Sequence, residues 1–186
     1  MRDGSTVHVR PVRADDADAF RAFLEALSPE SIGFRFFGTP NLDWVTDWAV
    51  DVDDADRFAL VAESGSPPSV IAHAAYFTNE GGKSAEVGFM VADAWQAHGI
   101  STILLAHLAE VADRRGISTF TAEVLPANHR MIEVFRDSGF PVDMRATPEA
   151  IAIELPTSLS AEAIERFEER ERSRRCAVSR SHSRSR

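Results

Sequence analysis

The stretch most informative about chemistry is residues 89–102, where a strand pattern passes into a helix pattern through a turn that contains Gly99. A strand that enters a helix in this way leaves backbone N–H groups unpaired, and the helix dipole adds partial positive charge at the same place. Gly99 permits close approach of the backbone, while Ser101 and Thr102 offer hydroxyl donors. The stretch therefore predicts a phosphate-binding turn. An ordinary loop capped by Ser101 is the alternative that these residues leave open.

Two carboxylates stand in strand patterns that are otherwise apolar. Glu86 lies just upstream of the predicted phosphate-binding turn, and Glu123 has similar apolar neighbours one predicted strand later. Partial burial of Glu86 would favour its protonated form and suit it to general-base catalysis. A solvated strand carboxylate is the plainer interpretation, and Glu123 is the second candidate for the base because strand alternation does not say which way it points.

Other signals for chemistry are weak. The six histidines show no spacing typical of a metal site, and the single cysteine, Cys176, forms neither an internal disulfide nor a thiolate metal site. The segment 82–84 imitates the end of a phosphate-binding P-loop, but Phe77 stands where that motif needs its first glycine. We therefore expect no metal.

The elements that position these residues follow from the hydrophobic periodicity. Alternating or continuous apolar runs predict strands at 6–12, 57–62, 70–77, 85–91, 119–125, 142–145 and 150–155. Helical spacing predicts helices at 15–27, 28–37, 41–50, 99–115 and 128–138. This order predicts an α/β domain with a mixed, mostly antiparallel central sheet flanked by helices.

Composition sets the class of protein and its partners. The chain has 186 residues with 44% hydrophobic side chains, which is typical of one globular domain with a short appendage. Residues 1–156 carry 24 acidic against 12 basic side chains, so we expect no nucleic acid partner. No apolar run approaches the ~18 residues of a membrane span, and no signal-like stretch follows Met1, so we expect a cytoplasmic protein without a membrane partner.

The domain organisation changes near residue 157. Residues 157–175 predict a charged helical linker, with Glu and Arg pairs at helical spacing, and residues 176–186 predict a disordered Arg/Ser tail. The domain itself is expected to span residues 1–156. The sequence does not settle the oligomeric state, for which we expect a monomer or a weak homodimer.

Two motifs resemble a known family. Residues 96–101 are similar to the Gln/Arg-x-x-Gly-x-Gly/Ala signature of the GCN5-related N-acetyltransferases (GNAT family), and residues 128–140 resemble its second element, an Asn that opens a helix ending in Gly-Phe. The resemblance covers about residues 5–156. Further segments look like the N-terminal acetyltransferase domain of bacterial protein-lysine acetyltransferases that also carry an acyl-CoA synthetase-like domain: 9–11, 35–37, 85–87 and 122–128.

The resemblance implies a GNAT acyl-CoA N-acyltransferase fold with acetyl-CoA as cosubstrate. The acceptor that it implies is a protein carrying a lysine, for example an acyl-CoA synthetase. Because Cys176 falls in the predicted disordered tail, which disfavours a covalent acetyl-enzyme, we expect direct attack in a ternary complex. Glu86 is the implied catalytic base, and Phe36 and Phe37 are the implied acceptor-binding residues. The implied coenzyme contacts are the strand residues Phe89, Met90 and Val91, the pyrophosphate loop Gln96, Ala97, His98, Gly99, Ile100, Ser101 and Thr102, and the helix-opening Asn128.

Three residues depart from the family pattern. Ser101 stands where the family usually has Gly or Ala, His98 where Arg or Lys is frequent, and Phe135 where many members place a tyrosine that protonates the departing thiolate. Two other functions therefore stay open. One is acetylation of a small amine, and the other is a catalytically idle CoA-sensing module.

Overall fold

The computed structural model describes residues 6–51, 56–162, 164, 165 and 169. Within them it confirms each strand and each of the five helices predicted between residues 6 and 156. The strands are β1 (His8–Pro11), β2 (Arg57–Ser64), β3 (Ser69–Thr78), β4 (Ser84–Val91), β5 (Thr119–Val124), β6 (Asp143–Ala146) and β7 (Ile151–Pro156). The helices are α1 (Ala17–Ala26), α2 (Pro29–Phe36), α3 (Leu42–Val50), α4 (Ile100–Arg114) and α5 (His129–Arg136).

The seven strands form one mixed sheet in the order β1-β2-β3-β4-β5-β7-β6. All neighbours are antiparallel except β4 and β5, which run parallel. That pair is short, since its register runs only from Ser84 beside Thr119 to Glu86 beside Thr121. Beyond Glu86 the two strands separate, and an opening forms in the middle of the sheet.

Helices cover both faces of the sheet. On one face α4 and α5 bury a cluster that includes Val87, Phe89 and Leu104. On the other face the helices α1 to α3 pack over Met90 and its neighbours. The sheet residues of β4 alternate between the two faces, as a strand with both sides covered requires.

Local sequence explains where the helices that flank the opening begin. The hydroxyl of Ser28 accepts a hydrogen bond from the N–H of Ser31 at 3.2 Å, and Pro29 occupies the first position of α2, where a missing N–H costs nothing. Helix α4 begins after Gly99, whose φ of 80° is a left-handed conformation that glycine adopts readily.

Two features differ from the prediction. A short 3-10 turn at Ala14–Asp16 takes the first two residues of the helix predicted at 15–27, so α1 itself begins at Ala17. A second 3-10 turn, at Asp93–Trp95, lies where no element was predicted, because a three-residue turn carries no periodic signal. Of the predicted linker, positions 161, 162, 164, 165 and 169 are helical; most of the remainder, and the whole predicted tail at 176–186, lie outside the described residues. Among the described residues, no helix is long and apolar enough to cross a membrane.

Candidate active site

A cavity of about 920 Å³ lies where β4 and β5 diverge. Its walls come from α2, β4, β5, the start of α4 and α5. The lining includes every predicted site residue except His98: Phe36, Phe37, Glu86, Phe89, Met90, Val91, Gln96, Ala97, Gly99, Ile100, Ser101, Thr102 and Asn128. The exposed His98 ring instead turns back on its own loop, with Nδ1 2.8 Å from the carbonyl oxygen of Gln96. One site therefore gathers residues that are 92 positions apart in sequence, from Phe36 to Asn128.

The predicted phosphate-binding turn has open donors. No side chain caps α4, so the alternative in which Ser101 caps the helix is wrong. Within the described part of the chain, the backbone N–H groups of Ile100, Ser101 and Thr102 have no hydrogen-bond acceptor. Three unsatisfied N–H groups at the positive end of a 15-residue helix thus line the cavity, an arrangement that can hold an anion.

Side-chain hydrogen bonds hold the loop before α4 in place. Gln96 donates through Nε2 to Ser31 Oγ at 3.1 Å, to the Val91 carbonyl at 3.3 Å and to Asp93 Oδ1 at 3.2 Å, and its Oε1 accepts from Arg130 of α5. Gln96 was predicted to contact the coenzyme, and the structure engages its side chain in fixing the loop between α2 and α5.

Asp93 joins that loop to the start of α2. Its carboxylate accepts from the N–H of Ser28 at 2.8 Å and from the hydroxyl of Ser31 at 2.6 Å. Burial by itself would raise the pKa of Asp93, but the hydrogen bonds from Ser31 and Ser28 together outweigh it and lower that pKa. The carboxylate thus stays charged and ties one wall of the cavity to the other.

The backbone of β4 alternates its donors between β3 and the cavity. The N–H of Ala92 donates to Ile71 of β3 at 2.8 Å, and the uninterrupted register places the N–H of Met90 on the same side, opposite His73. By alternation, the N–H groups of Phe89 and Val91 face the opening toward β5. Two of the three predicted strand residues, Phe89 and Val91, thus offer backbone N–H donors to a ligand. The N–H group of Met90 points to β3 instead.

Glu86 and Glu123 both line the cavity and both are exposed. The partial burial expected for Glu86 is wrong, because the strands separate directly after it and leave its side chain in the open cavity. Val87 of β4 and Ala122 of β5 are buried under α4 and α5, so the two glutamates project to the opposite face of the sheet. The structure therefore keeps both carboxylates as candidates on the same side of the opening.

Two residues of α5 complete the wall. Asn128 accepts a hydrogen bond at Oδ1 from the N–H of Met131 at 3.1 Å and so caps the helix, which leaves its amide NH₂ group for a ligand. Phe135 is 1% exposed and its ring lies edge-on to that of Phe89 at 6.0 Å. The position where many family members place a tyrosine is thus a phenyl ring packed against the predicted coenzyme strand.

The other end of the cavity is aromatic. Phe37 is 48% exposed, and it adopts a left-handed conformation with φ of 57° at the end of α2. On α3, outside the cavity lining, Trp44 is 59% exposed and stacks on Trp48 at 6.0 Å. Trp44 and Trp48 were not singled out from the sequence, although their spacing of four residues on a predicted helix places them on one face.

Sequence reasoning also missed three polar residues. Arg35 lines the cavity beside Gly88 and was noted only as part of a family segment, while Asp93 and Arg130 anchor the loop before α4. None of them stands in a spacing that points to chemistry. No group of three or more His, Cys, Asp or Glu residues that could hold a metal occurs in the described ranges.

A mixed sheet that opens between two parallel central strands, with an anion site at the opening, defines the acyl-CoA N-acyltransferase fold. The model of the "Acetyltransferase (GNAT) family" matches residues 20–140. The chain belongs to the GNAT family of acetyltransferases, as the sequence motifs predicted.

Three similar proteins support this assignment. The GNAT domain of S. lividans PAT superposes with a TM-score of 0.75 and 38% identity, covering 83% of this chain and 93% of that one. Acetyltransferase PA5475 of Pseudomonas aeruginosa is 33% identical, covering 75% of this chain and 77% of the relative. Acetyltransferase Pat of Mycolicibacterium smegmatis is 31% identical over 75% of this chain, which spans 42% of that relative.

Coenzyme A occurs in more distant neighbours of the same fold. The aminoglycoside acetyltransferase AAC(6')-Ib, solved in complex with coenzyme A, superposes with a TM-score of 0.61 at 17% identity, covering 88% of this chain and 99% of that one. At 17% identity this similarity shows a shared fold and no more. Membership of the acetyltransferase family is what supports acetyl-CoA as the cosubstrate.

Proposed function

We propose that this protein transfers the acetyl group of acetyl-CoA to a lysine side chain of a protein, for example an acyl-CoA synthetase. One observation carries the proposal: the open N–H groups at the start of α4 and the exposed carboxylate of Glu86 line the same cavity. The likeness to the GNAT domain of S. lividans PAT and to the M. smegmatis Pat supports acetyl transfer. The segments that resemble bacterial protein-lysine acetyltransferases support a protein acceptor.

The coenzyme is assigned to the side of the cavity formed by α4, β4 and α5. Its pyrophosphate would accept from the N–H groups of Ile100, Ser101 and Thr102, where helix dipole and hydrogen bonds act together. Its pantetheine arm would lie in the opening beside β4 and pair with the N–H groups of Phe89 and Val91, like an added strand. Asn128 would contact the same arm from α5.

The reaction needs a base because a lysine amine, with a pKa of ~10.4 in water, is a nucleophile only when deprotonated. Glu86 would take the proton directly or through one water molecule. The amine nitrogen then bonds to the thioester carbonyl carbon, and the carbon–sulfur bond breaks. An N–H group of β4 would stabilise the oxyanion, as preorganised donors do in acyl transfer.

The acceptor would approach from the aromatic end of the cavity. Phe36 and Phe37 line the cavity, and Glu30 is exposed on the same wall. Exposed aromatic and acidic side chains suit the aliphatic stem and positive charge of a lysine on a protein surface.

Labelled acetyl-CoA tests the function. We expect incubation of a bacterial lysate with this protein and isotope-labelled acetyl-CoA to place labelled acetyl groups on lysines of a small set of proteins, identified by mass spectrometry. The same lysate without the protein is the control for chemical acetylation. Label that appears only on free amines would favour small-molecule acetylation, and coenzyme binding without any transfer would favour the CoA-sensing module.

A tyrosine at position 135 should change turnover little. A thiol with a pKa near ~8.5 is a tolerable leaving group without an acid, so the thiolate can take its proton from water. We expect Phe135→Tyr to alter turnover by less than about 3-fold and to lower the thermal midpoint slightly, because the site of the new hydroxyl is buried. Steady-state kinetics and thermal unfolding measure both effects.

The same variant also tests whether the departing thiolate takes its proton from water without an acid in the protein. A rise in turnover of 10-fold or more in Phe135→Tyr would mean that thiolate protonation limits the reaction. Phe135→Leu is the matched control, since it changes the packing against Phe89 without adding a hydroxyl.

A further inference from the structure

Arg35, in the last turn of α2, lies against the backbone of β4 at Gly88. A Cβ atom built on Gly88 would stand 2.7 Å from Cζ and Nη2 of Arg35 and 2.9 Å from its Nε. The register aligns Gly88 with Ala75 of β3 and Ala59 of β2, so a row of small residues crosses the sheet at this level. The guanidinium occupies the end of that row because no side chain stands at Gly88.

The guanidinium has no partner in the described part of the chain. Arg35 Nε is buried without a hydrogen bond, and no ion pair involves this residue. Burial lowers the pKa of Arg35, while the negative charge of Glu86 partly opposes the effect without coming into salt-bridge contact. The side chain as a whole is half-buried, and an arginine keeps its charge in proteins, so the guanidinium remains a cation that can bind an anion.

Apart from Glu86, which makes no salt bridge to it, the described neighbours of the guanidinium carry no negative charge. The rings of Phe36 and Trp48 lie 5.3 and 5.8 Å from its Cζ and provide cation–π contact only. His73 is fully buried, and burial, with a smaller effect of Arg35, lowers the pKa of His73 to about 3, so its ring is neutral. The remaining open side of Arg35 faces the cavity, which it lines together with Glu86 and Gly88.

This position adjoins the reacting group of a bound thioester. Gly88 lies between Glu86, the proposed base, and Phe89, whose N–H faces the opening. A thioester placed for attack there has its acyl chain beside Gly88, within reach of Arg35. An acetyl group offers this cation no charge, whereas a carboxylate matches the planar fork of a guanidinium.

We propose that Arg35 binds a carboxylate at the far end of the acyl group, so that the site takes CoA thioesters of short dicarboxylic acids, such as malonyl-CoA, in addition to acetyl-CoA. The inference rests on the proposed function for the placement of the thioester. The transfer keeps the same balance: the amine nitrogen bonds to the thioester carbonyl carbon, the carbon–sulfur bond breaks, Glu86 receives the amine proton, and the thiolate takes a proton from water. The distal carboxylate stays on the product amide.

Malonyl-CoA and propionyl-CoA form the matched test, because they have acyl chains of the same number of carbons and differ in the terminal carboxylate. Calorimetric titration of the full chain is expected to give a dissociation constant for malonyl-CoA at least 10-fold below that for propionyl-CoA at equal ionic strength. In Arg35→Met we expect that ratio to fall below 3-fold, and Arg35→Lys should restore part of it, since a point charge replaces the bidentate fork.

Thermal unfolding separates a ligand-binding arginine from a structural one. We expect Arg35→Met to keep or raise the thermal midpoint of the free protein, because a buried N–H group without an acceptor is removed. A lower midpoint together with equal loss of both thioesters would overturn the proposal and make Arg35 structural. Equal affinity of the native protein for both thioesters would overturn it while leaving the proposed function intact, whereas failure to bind either thioester would overturn both.

Discussion

Replacing Glu86 by glutamine is expected to lower turnover by at least about 100-fold, the lower end of what a general base contributes. Glutamine has the shape of glutamate and keeps a hydrogen-bonding oxygen, but it cannot accept the amine proton. The side chain belongs to β4, whereas the proposed pyrophosphate donors belong to the start of α4, so the affinity for acetyl-CoA should change by less than about 3-fold. Turnover comes from initial rates of thiol release, and the affinity from calorimetry.

Glu123→Gln is the matched control for this prediction. Both glutamates are exposed, line the same cavity and project to the same face of the sheet. Glu86 stands where β4 last pairs with β5, while Glu123 is two residues past that point on β5, so the two substitutions differ chiefly in distance from the proposed thioester. We expect Glu123→Gln to lower turnover by less than about 10-fold. Turnover that falls with Glu123→Gln and survives Glu86→Gln would assign the base to Glu123.

Placing a glutamate at position 101 should weaken coenzyme binding by about 10-fold or more. The second residue of α4 lies beside the open N–H groups, where a new carboxylate would repel a pyrophosphate and compete for the same donors. The same charge should stabilise the free protein by about 0.3–1 kcal/mol, since an acidic side chain near a helix N-terminus is favourable. Opposite signs for affinity and stability distinguish this effect from general damage to the fold.

Two further variants serve as comparisons for the affinity measured with Ser101→Glu. Ser101→Ala removes only one hydroxyl, so we expect the dissociation constant for acetyl-CoA to rise by about 5-fold or less. His98→Arg adds a positive charge to the exposed part of the same loop and should lower that constant by a few fold, less at high salt. Unchanged affinity in Ser101→Glu would mean that the start of α4 does not hold the pyrophosphate.

Most of the secondary structure could be predicted from the sequence because its signals are local. The period of the apolar residues in α4 and the continuous apolar runs of β2 and β3 each appear within one element. Gly99 and Gly116 mark both ends of α4 with left-handed φ angles of 80° and 79°. The predicted phosphate-binding turn also depends on a local signal, since its N–H donors follow from a strand, a glycine and a helix in succession.

The walls of the cavity could not be predicted in the same way. Asp93 accepts hydrogen bonds from Ser28 and Ser31, more than 60 positions earlier, and Gln96 contacts Arg130, 34 positions later. The exposure of Glu86 also depends on tertiary structure, because it follows from where β5 leaves β4. A strand pattern shows which residues alternate, but it does not show where a neighbouring strand ends.

The linear chain by itself determined the order of the elements, the open N–H groups at the start of α4 and the presence of a carboxylate in β4, since each depends on residues within a few positions of one another. Only the tertiary structure decided that Glu86 and Glu123 share one face of the opening, and that Arg35 lies unpartnered against Gly88. The physical reason is distance along the chain. Burial and charge pairing are set by contacts between elements, and these contacts exist only once the sheet has assembled and α2 has packed across it.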